Sequence, residues 1–146
     1  MKFEHEQRLR VRYAETDQMG VVYYANYLTW FEVGRVEYCR AIGVFYDEME
    51  KAAKCFLAVV EANCRYHEPL TYDTEFVIRT RLTHFKGVFL AFDYRLLNLD
   101  GSGPLAVGWT KHIVVGQNGK PKKIPHPYAG LLKSGTPAFG SEVEQV

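Results

Sequence analysis

The chain has 146 residues, enough for one domain with a proper core, and its 18 Lys and Arg nearly cancel 17 Asp and Glu to a net charge of +1. That balance excludes a general electrostatic grip on nucleic acid, which needs a clear cationic excess. Hydrophobic residues at 47% against 24% charged exclude a disordered chain and fit a soluble globular one.

Residues 7–15 alternate, with Leu9, Val11 and Tyr13 on one side and Arg8, Arg10 and Arg12 on the other, and so predict a half-buried strand. The three arginines are expected on a solvated outer face, the alternative being pairs with Glu61, Glu75 or Asp93 on neighbouring strands. Thr16 to Gly20 then breaks the pattern with turn-forming residues. From Tyr23 to Ile42 the period changes to three and four. Tyr24, Tyr27, Leu28, Phe31, Gly34, Tyr38 and Ile42 share one helical face, and Gly43 supplies a stop. Gly34 in mid-helix predicts close backbone packing. A short second helix is expected over 46–54.

Strands follow. Phe56, Ala58, Val60, Ala62, Cys64 and Tyr66 share a face; so do Phe76, Ile78, Thr80 and Leu82, and Val88 through Leu96 in alternation. Leu105, Val107, Trp109, Ile113 and Val115 continue the series less cleanly. Residues 98–104 and 117–119 are turn signals, 119–123 form a basic loop, and 127–146 read as a loosely attached tail. One helix followed by consecutive strands predicts a single α+β domain over 1–146, a helix against one side of an antiparallel sheet.

Residue types narrow the chemistry. Cys39, Cys55 and Cys64 lack Cys-x-x-Cys spacing, and the five histidines form no ligand pattern, so reduced buried thiols and no metal site are expected. The longest apolar runs, 56–60 and 88–92, fall far short of a membrane span, and the first residues carry no apolar leader; the cytoplasm is the expected compartment. Only three serines occur and no Gly-x-Ser-x-Gly, which excludes an α/β-hydrolase triad. A hydrolase built on this sequence works with carboxylates, backbone dipoles and water.

The stretch from Tyr13 to Glu32 places a carboxylate, Asp17, in a loop just before the start of an apolar helix. Helix starts carry unpaired N–H groups and a partial positive charge able to polarise a carbonyl. The bland reading is equally available: Asp before a helix is commonly a cap or turn residue, and Tyr24 and Tyr27 are core residues first. Likewise Phe45, Tyr46 and Met49 read either as an acyl pocket or as core.

The run Tyr-x-x-Thr-Asp-x-x-Gly-Val-Val-Tyr-Tyr-x-Asn-Tyr over 13–27 resembles the signature of hotdog-fold acyl-CoA thioesterases of the 4-hydroxybenzoyl-CoA thioesterase family. Glu61 to Asp73, with Tyr66 and Pro69, is similar to that family's second strand and following loop. The resemblance implies a sheet wrapped around one central helix, hydrolysis of an acyl-CoA thioester, and no cofactor beyond the coenzyme A of the substrate. It implies Asp17 as nucleophile or general base and Tyr24 as donor of a backbone N–H to the thioester carbonyl. Gly20, Val21, Val22 and Tyr27 would line the substrate, with Lys86 near the coenzyme A phosphates. Many relatives have His where Tyr24 stands, a change that removes any imidazole role there but leaves a main-chain donor. The resemblance also implies edge-to-edge dimers, often paired into homotetramers, with the site between protomers. Dehydratases of the same fold use a helix His that this chain lacks between His5 and His67. A thioester on a carrier protein, or a non-catalytic acyl-carrier binding module, are the alternatives.

Overall fold

The computed structural model describes residues 3–137. Strand β1 (His5–Arg10) leads through a 3-10 turn (Tyr13–Glu15) to a long helix α1 (Asn26–Ala41) and a short helix α2 (Tyr46–Ala52). Then come β2 (Phe56–Tyr66), β3 (Glu75–Lys86), β4 (Phe89–Leu97), β5 (Ala106–Val115) and helix α3 (Tyr128–Ser134). The five strands form one antiparallel sheet in the order β1-β3-β4-β5-β2. Strands β3, β4 and β5 are sequence neighbours and pair in that order, while β1 and β2, separated by α1, take the two edges. Helix α1 lies on one face, chiefly against β3 and β1, so the α+β expectation holds.

Aromatic rings fill the space between α1 and the sheet. Tyr27, Trp30, Phe31, Gly34, Arg35, Tyr38 and Cys39 are its buried residues, at helical spacing. Phe31 stacks on Tyr94 at 4.3 Å, Trp30 tilts against Phe76 at 4.6 Å, and Tyr38 meets Phe92 edge-on at 5.8 Å. Gly34 packs as its position predicts, since a Cβ there would overlap the Thr80 hydroxyl. Met49 is buried and Tyr46 packs against the core beside α1, so both are core residues.

Several expectations are corrected. The first strand ends at Arg10, not near residue 15. The backbone N–H of Arg12 goes instead to the Glu15 carboxylate at 2.8 Å, and the chain curls into the 3-10 turn. Helix α1 begins at Asn26; Tyr24 lies ahead of it, and both Tyr24 and Leu28 face solvent, because Trp30 and Arg35 take the inward positions. In β2 a bulge between Val59 and Glu61 shifts the register, so the residues from Phe56 to Tyr66 do not share one face. In β5 the buried side is Ala106, Gly108, Thr110, His112 and Val114, the opposite of the apolar set expected. The rings of α1 occupy that space, and only small or mutually bonded residues fit beneath them. The tail expectation fails for its first part: Ala129 and Leu132 of α3 are buried in the core. Residues 138–146 lie outside the described residues. Arg8 and Arg10 are ion-paired, not merely solvated. Arg8 donates to Glu75 at 2.6 Å, and Arg10 to Glu75 at 2.7 Å and Asp73 at 3.2 Å. Glu61 and Asp93 pair with Lys111 and Arg81 instead. Cys39 and Cys55 are buried and Cys64 partly so; all three are free thiols.

Thr110 links Tyr94, at 2.5 Å, to His112 Nε2, at 2.7 Å, beneath the helix. Burial, and then the nearby Arg35 guanidinium, depress His112 to a pKa of about 4 from 6.5. The folded protein keeps this imidazole neutral while the unfolded chain protonates it, so the unfolded state binds more protons between pH 6.5 and 4. Stability is therefore expected to fall as pH drops through that window, and His112→Gln to flatten that part of a urea-denaturation profile. An unchanged profile in the variant would exclude His112 as the source.

Candidate active site

Asp17 opens a tight hairpin. Its carbonyl accepts from the Gly20 N–H at 3.0 Å, its Oδ1 accepts from the Met19 N–H at 2.9 Å, and its own N–H donates to Val21 O at 2.8 Å. Gly20 sits at φ 82°, a backbone conformation that explains glycine at this point of the turn. The hairpin is fastened to the chain after β2, because Val22 N–H donates to Leu70 O at 2.8 Å and Val21 bridges Thr71. Asp17 is half-buried, with its second oxygen free of any hydrogen bond among the described residues.

Glu15 secures the hairpin to the helix. It is 5% exposed, and its carboxylate accepts from the Trp30 indole N–H at 2.9 Å as well as from Arg12 N–H. Its backbone carbonyl accepts from Tyr23 N–H at 2.9 Å and from the Asn26 side chain at 2.8 Å. One residue thus joins the entry to the loop, its exit and the second turn of α1. Glu15→Ala is expected to lower stability by about 1–3 kcal/mol, because it leaves buried donors unpaired; Glu15→Gln, which keeps one acceptor, loses less. Urea midpoints of the two variants check this ordering.

Tyr24 closes the hairpin two residues before α1. Its carbonyl accepts from the Tyr66 hydroxyl at 2.9 Å and from Tyr27 N–H at 3.3 Å. Its own N–H donates to no carbonyl among the described residues. Tyr66 stands edge-on to Tyr27 at 4.8 Å, so the end of β2 meets the start of the helix through two rings.

Asp17, Val21, Val22, Tyr24 and Tyr27 line one cleft of 330 Å³, with Met19 and, from the end of β2 and its following loop, Tyr66, His67, Glu68 and Pro69. Gly20 shapes the turn without lining the cleft. Lys86 is not brought to it. It ends β3 at the far end of the strand, paired with Phe89, whereas Glu75 at the near end pairs with Arg10. At about 3.3 Å per residue those ends are roughly 35 Å apart. Met19, His67 and Glu68 are lining residues, and Glu15 a support, that the motif leaves unnamed. Tyr66 and Pro69 left a signal in the stretch similar to the family's second strand and following loop, and Asn26 stands in the motif itself, though its bond to the Glu15 carbonyl does not show there. Among the described residues no three His, Cys, Asp or Glu side chains converge to hold a metal, and no helix is long and apolar enough to cross a membrane.

The chain resembles known proteins along most of its length. The Thioesterase-like superfamily profile matches residues 11–133. YneP of Bacillus subtilis is 40% identical over 111 residues, 75% of this chain and 78% of that one. The acyl-CoA thioester hydrolase YbgC of Escherichia coli O157:H7 is 31% identical over 94 residues, 64% of this chain and 69% of its own. The crystal structure of a DHNA-CoA thioesterase from Staphylococcus aureus superposes with a TM-score of 0.82 at 28% identity, covering 90% of this chain and 87% of that one. With its sheet, central helix and loop carboxylate, the chain belongs to the thioesterase-like superfamily and has the hotdog fold.

Proposed function

We propose that the chain hydrolyses acyl-CoA thioesters to a carboxylic acid and coenzyme A. The observation that carries this reading is the placement of Asp17 and Tyr24 on the two arms of one hairpin, lining a single cleft at the start of α1. A thioester carbonyl set against the Tyr24 N–H receives a hydrogen bond and the positive end of the helix dipole, which stabilise charge developing on its oxygen. Asp17 then attacks the carbonyl carbon to give a mixed anhydride, or takes a proton from a water that attacks it. In either route the carbon–sulfur bond breaks and the thiolate leaves as coenzyme A; in the first, water then cleaves the anhydride, releasing the carboxylic acid and restoring the Asp17 carboxylate. The names borne by YbgC and the staphylococcal thioesterase agree with this chemistry.

The donor at Tyr24 belongs to the backbone, so Tyr24→Phe is expected to change kcat by less than about tenfold, well short of the 100- to 1,000-fold that a lost oxyanion donor costs. Steady-state rates on a good substrate check it, and a loss beyond that range would give the phenol a chemical role. The reading as a whole is tested by thiol release over benzoyl, hydroxybenzoyl, short, medium and long acyl-CoAs. Tight binding without turnover across the panel would mark a binding module instead.

The site is completed by a second copy. Strand β2 is an edge strand, with Val59 and Val60 about half exposed, and edges of this kind call for a partner. Antiparallel pairing of two β2 edges sets the Asp17 end of one sheet beside the far end of the other, which carries Lys86. Dimers joined in this way, paired again into tetramers, are the assembly we propose.

A further inference from the structure

The face of the sheet turned away from α1 holds a concavity of 480 Å³ that the hydrolytic cleft does not use. Its floor takes in Arg79, Arg95, Val107 and Arg65 from a row of paired residues that crosses all five strands. Glu6 of β1 lies opposite Arg79 of β3, which lies opposite Arg95 of β4; Arg95 faces Val107 of β5, and Val107 faces Arg65 of β2. Arg79 is neutralised by Glu6 and Glu4, and Arg81 in the next row by Asp93. Arg95 and Arg65 have no carboxylate partner among the described residues. They are two strand spacings apart, about 10 Å. Arg95 stands directly across from Arg79, whose charge Glu6 and Glu4 already balance, so the unbalanced charge of the row lies on Arg95 and Arg65. Trp109 walls the same concavity, half-buried, with Lys111 against its ring at 4.9 Å.

We propose that this concavity binds the phosphate groups of a nucleotide, with Arg95 and Arg65 as the phosphate contacts and Trp109 as the aromatic wall. Guanidinium forks match phosphate oxygens in geometry and charge, and an indole suits a base. The volume lies within the range of small-molecule sites. Two sources share this chemistry: a free nucleotide, or the phosphorylated end of a coenzyme A thioester. His67 lines both this concavity and the Asp17 cleft, so the two spaces adjoin at the end of β2.

The chain has two tryptophans, and Trp30, on the inner face of α1, is buried against the sheet, so the change in fluorescence on ligand addition reports on Trp109. Titrating the full chain with ADP, pyrophosphate and adenosine is expected to give saturable quenching with ADP, and calorimetric binding of ADP and pyrophosphate well above that of adenosine. Arg95→Ala and Arg65→Ala should each weaken ADP binding at least tenfold, and Trp109→Phe should abolish the quenching while keeping calorimetric binding. The two sources separate in kinetics. If the coenzyme A thioester is the occupant, the arginine variants raise KM for acyl-CoA, leave kcat unchanged, and leave KM for the matching N-acetylcysteamine thioester, which has no phosphate, unchanged. If a free nucleotide is the occupant, KM for both substrates stays at the wild-type value and only ADP binding weakens. Absence of ADP and pyrophosphate binding in wild type, or binding that survives both arginine substitutions, overturns the site. Calorimetry reads this without turnover, so a failed thioesterase assay leaves the test intact.

Discussion

Asp17→Asn is expected to lower kcat by about 100- to 10,000-fold while the variant unfolds at the wild-type urea midpoint. The turn and the proposed chemistry ask different things of this side chain. Its structural role is to accept the Met19 N–H at Oδ1, and an amide oxygen does that equally well. The turn's other bonds, from Gly20 N–H to the Asp17 carbonyl and from Asp17 N–H to Val21, are made by the backbone and survive. Only the negative charge and the basic lone pair are removed, and those are what attack on a thioester or on water requires. Substrate binding should change little, so the loss falls on kcat more than on KM. Thiol-release kinetics beside a denaturation curve decide the matter. Near-wild-type turnover would remove Asp17 from the chemistry; equal losses of stability and rate would make it a turn residue alone. Single turnover in labelled water tests the anhydride route, because oxygen-18 enters the Asp17 carboxylate only when water attacks the aspartyl carbonyl of an anhydride.

The sequence exposed the hairpin and the helix clearly, since both are written in local residue types: a turn built on Asp17 and Gly20, then aromatic residues at helical spacing. The faces of β3 and β4 were legible for the same reason, with inward residues alternating from Phe76 to Leu82, Thr80 the one polar member, and from Leu90 to Leu96. What stayed hidden depends on partners far along the chain. Glu15 reads as an ordinary charged residue until Trp30 and Arg12 are seen to donate to it. The bulge at Val59–Glu61 leaves no mark on composition, yet it reverses which residues of β2 face inward. In β5 the larger apolar residues drew the expectation to the wrong face, because a strand beneath a ring-filled helix buries what is small and hydrogen-bonded rather than what is most hydrophobic. Lys86 illustrates a further limit. Its residue type suits phosphate, but its place at the far end of β3 keeps it away from the cleft of its own chain.

Gly108→Ala is expected to destabilise the fold by about 3 kcal/mol or more, a fall in Tm of roughly 10 °C. A Cβ at this position would overlap the backbone carbonyl of Asn63 and come within 2.5 Å of the Phe31 ring at Cε2 and 2.6 Å at Cζ. The ring has little room to retreat, being stacked on Tyr94 at an interplanar angle of 4°. The carbonyl belongs to β2, which pairs with β5 at this point, Asn63 lying opposite Trp109 and Cys64 opposite Gly108. Relief therefore requires β2 to move. Phe31→Leu in the same chain should recover only part of the loss, since shortening the ring leaves the Asn63 carbonyl in place; the coupling of the two substitutions measures the ring's share. A Gly108→Ala protein melting within about 2 °C of wild type would contradict this packing. The same movement reaches the cleft, because β2 ends at Tyr66, whose hydroxyl holds the Tyr24 carbonyl. Turnover measured well below the melting temperature should thus fall in Gly108→Ala as well, although residue 108 does not line the cleft. Recovery of rate and stability together in the double variant would trace both losses to the one displaced strand.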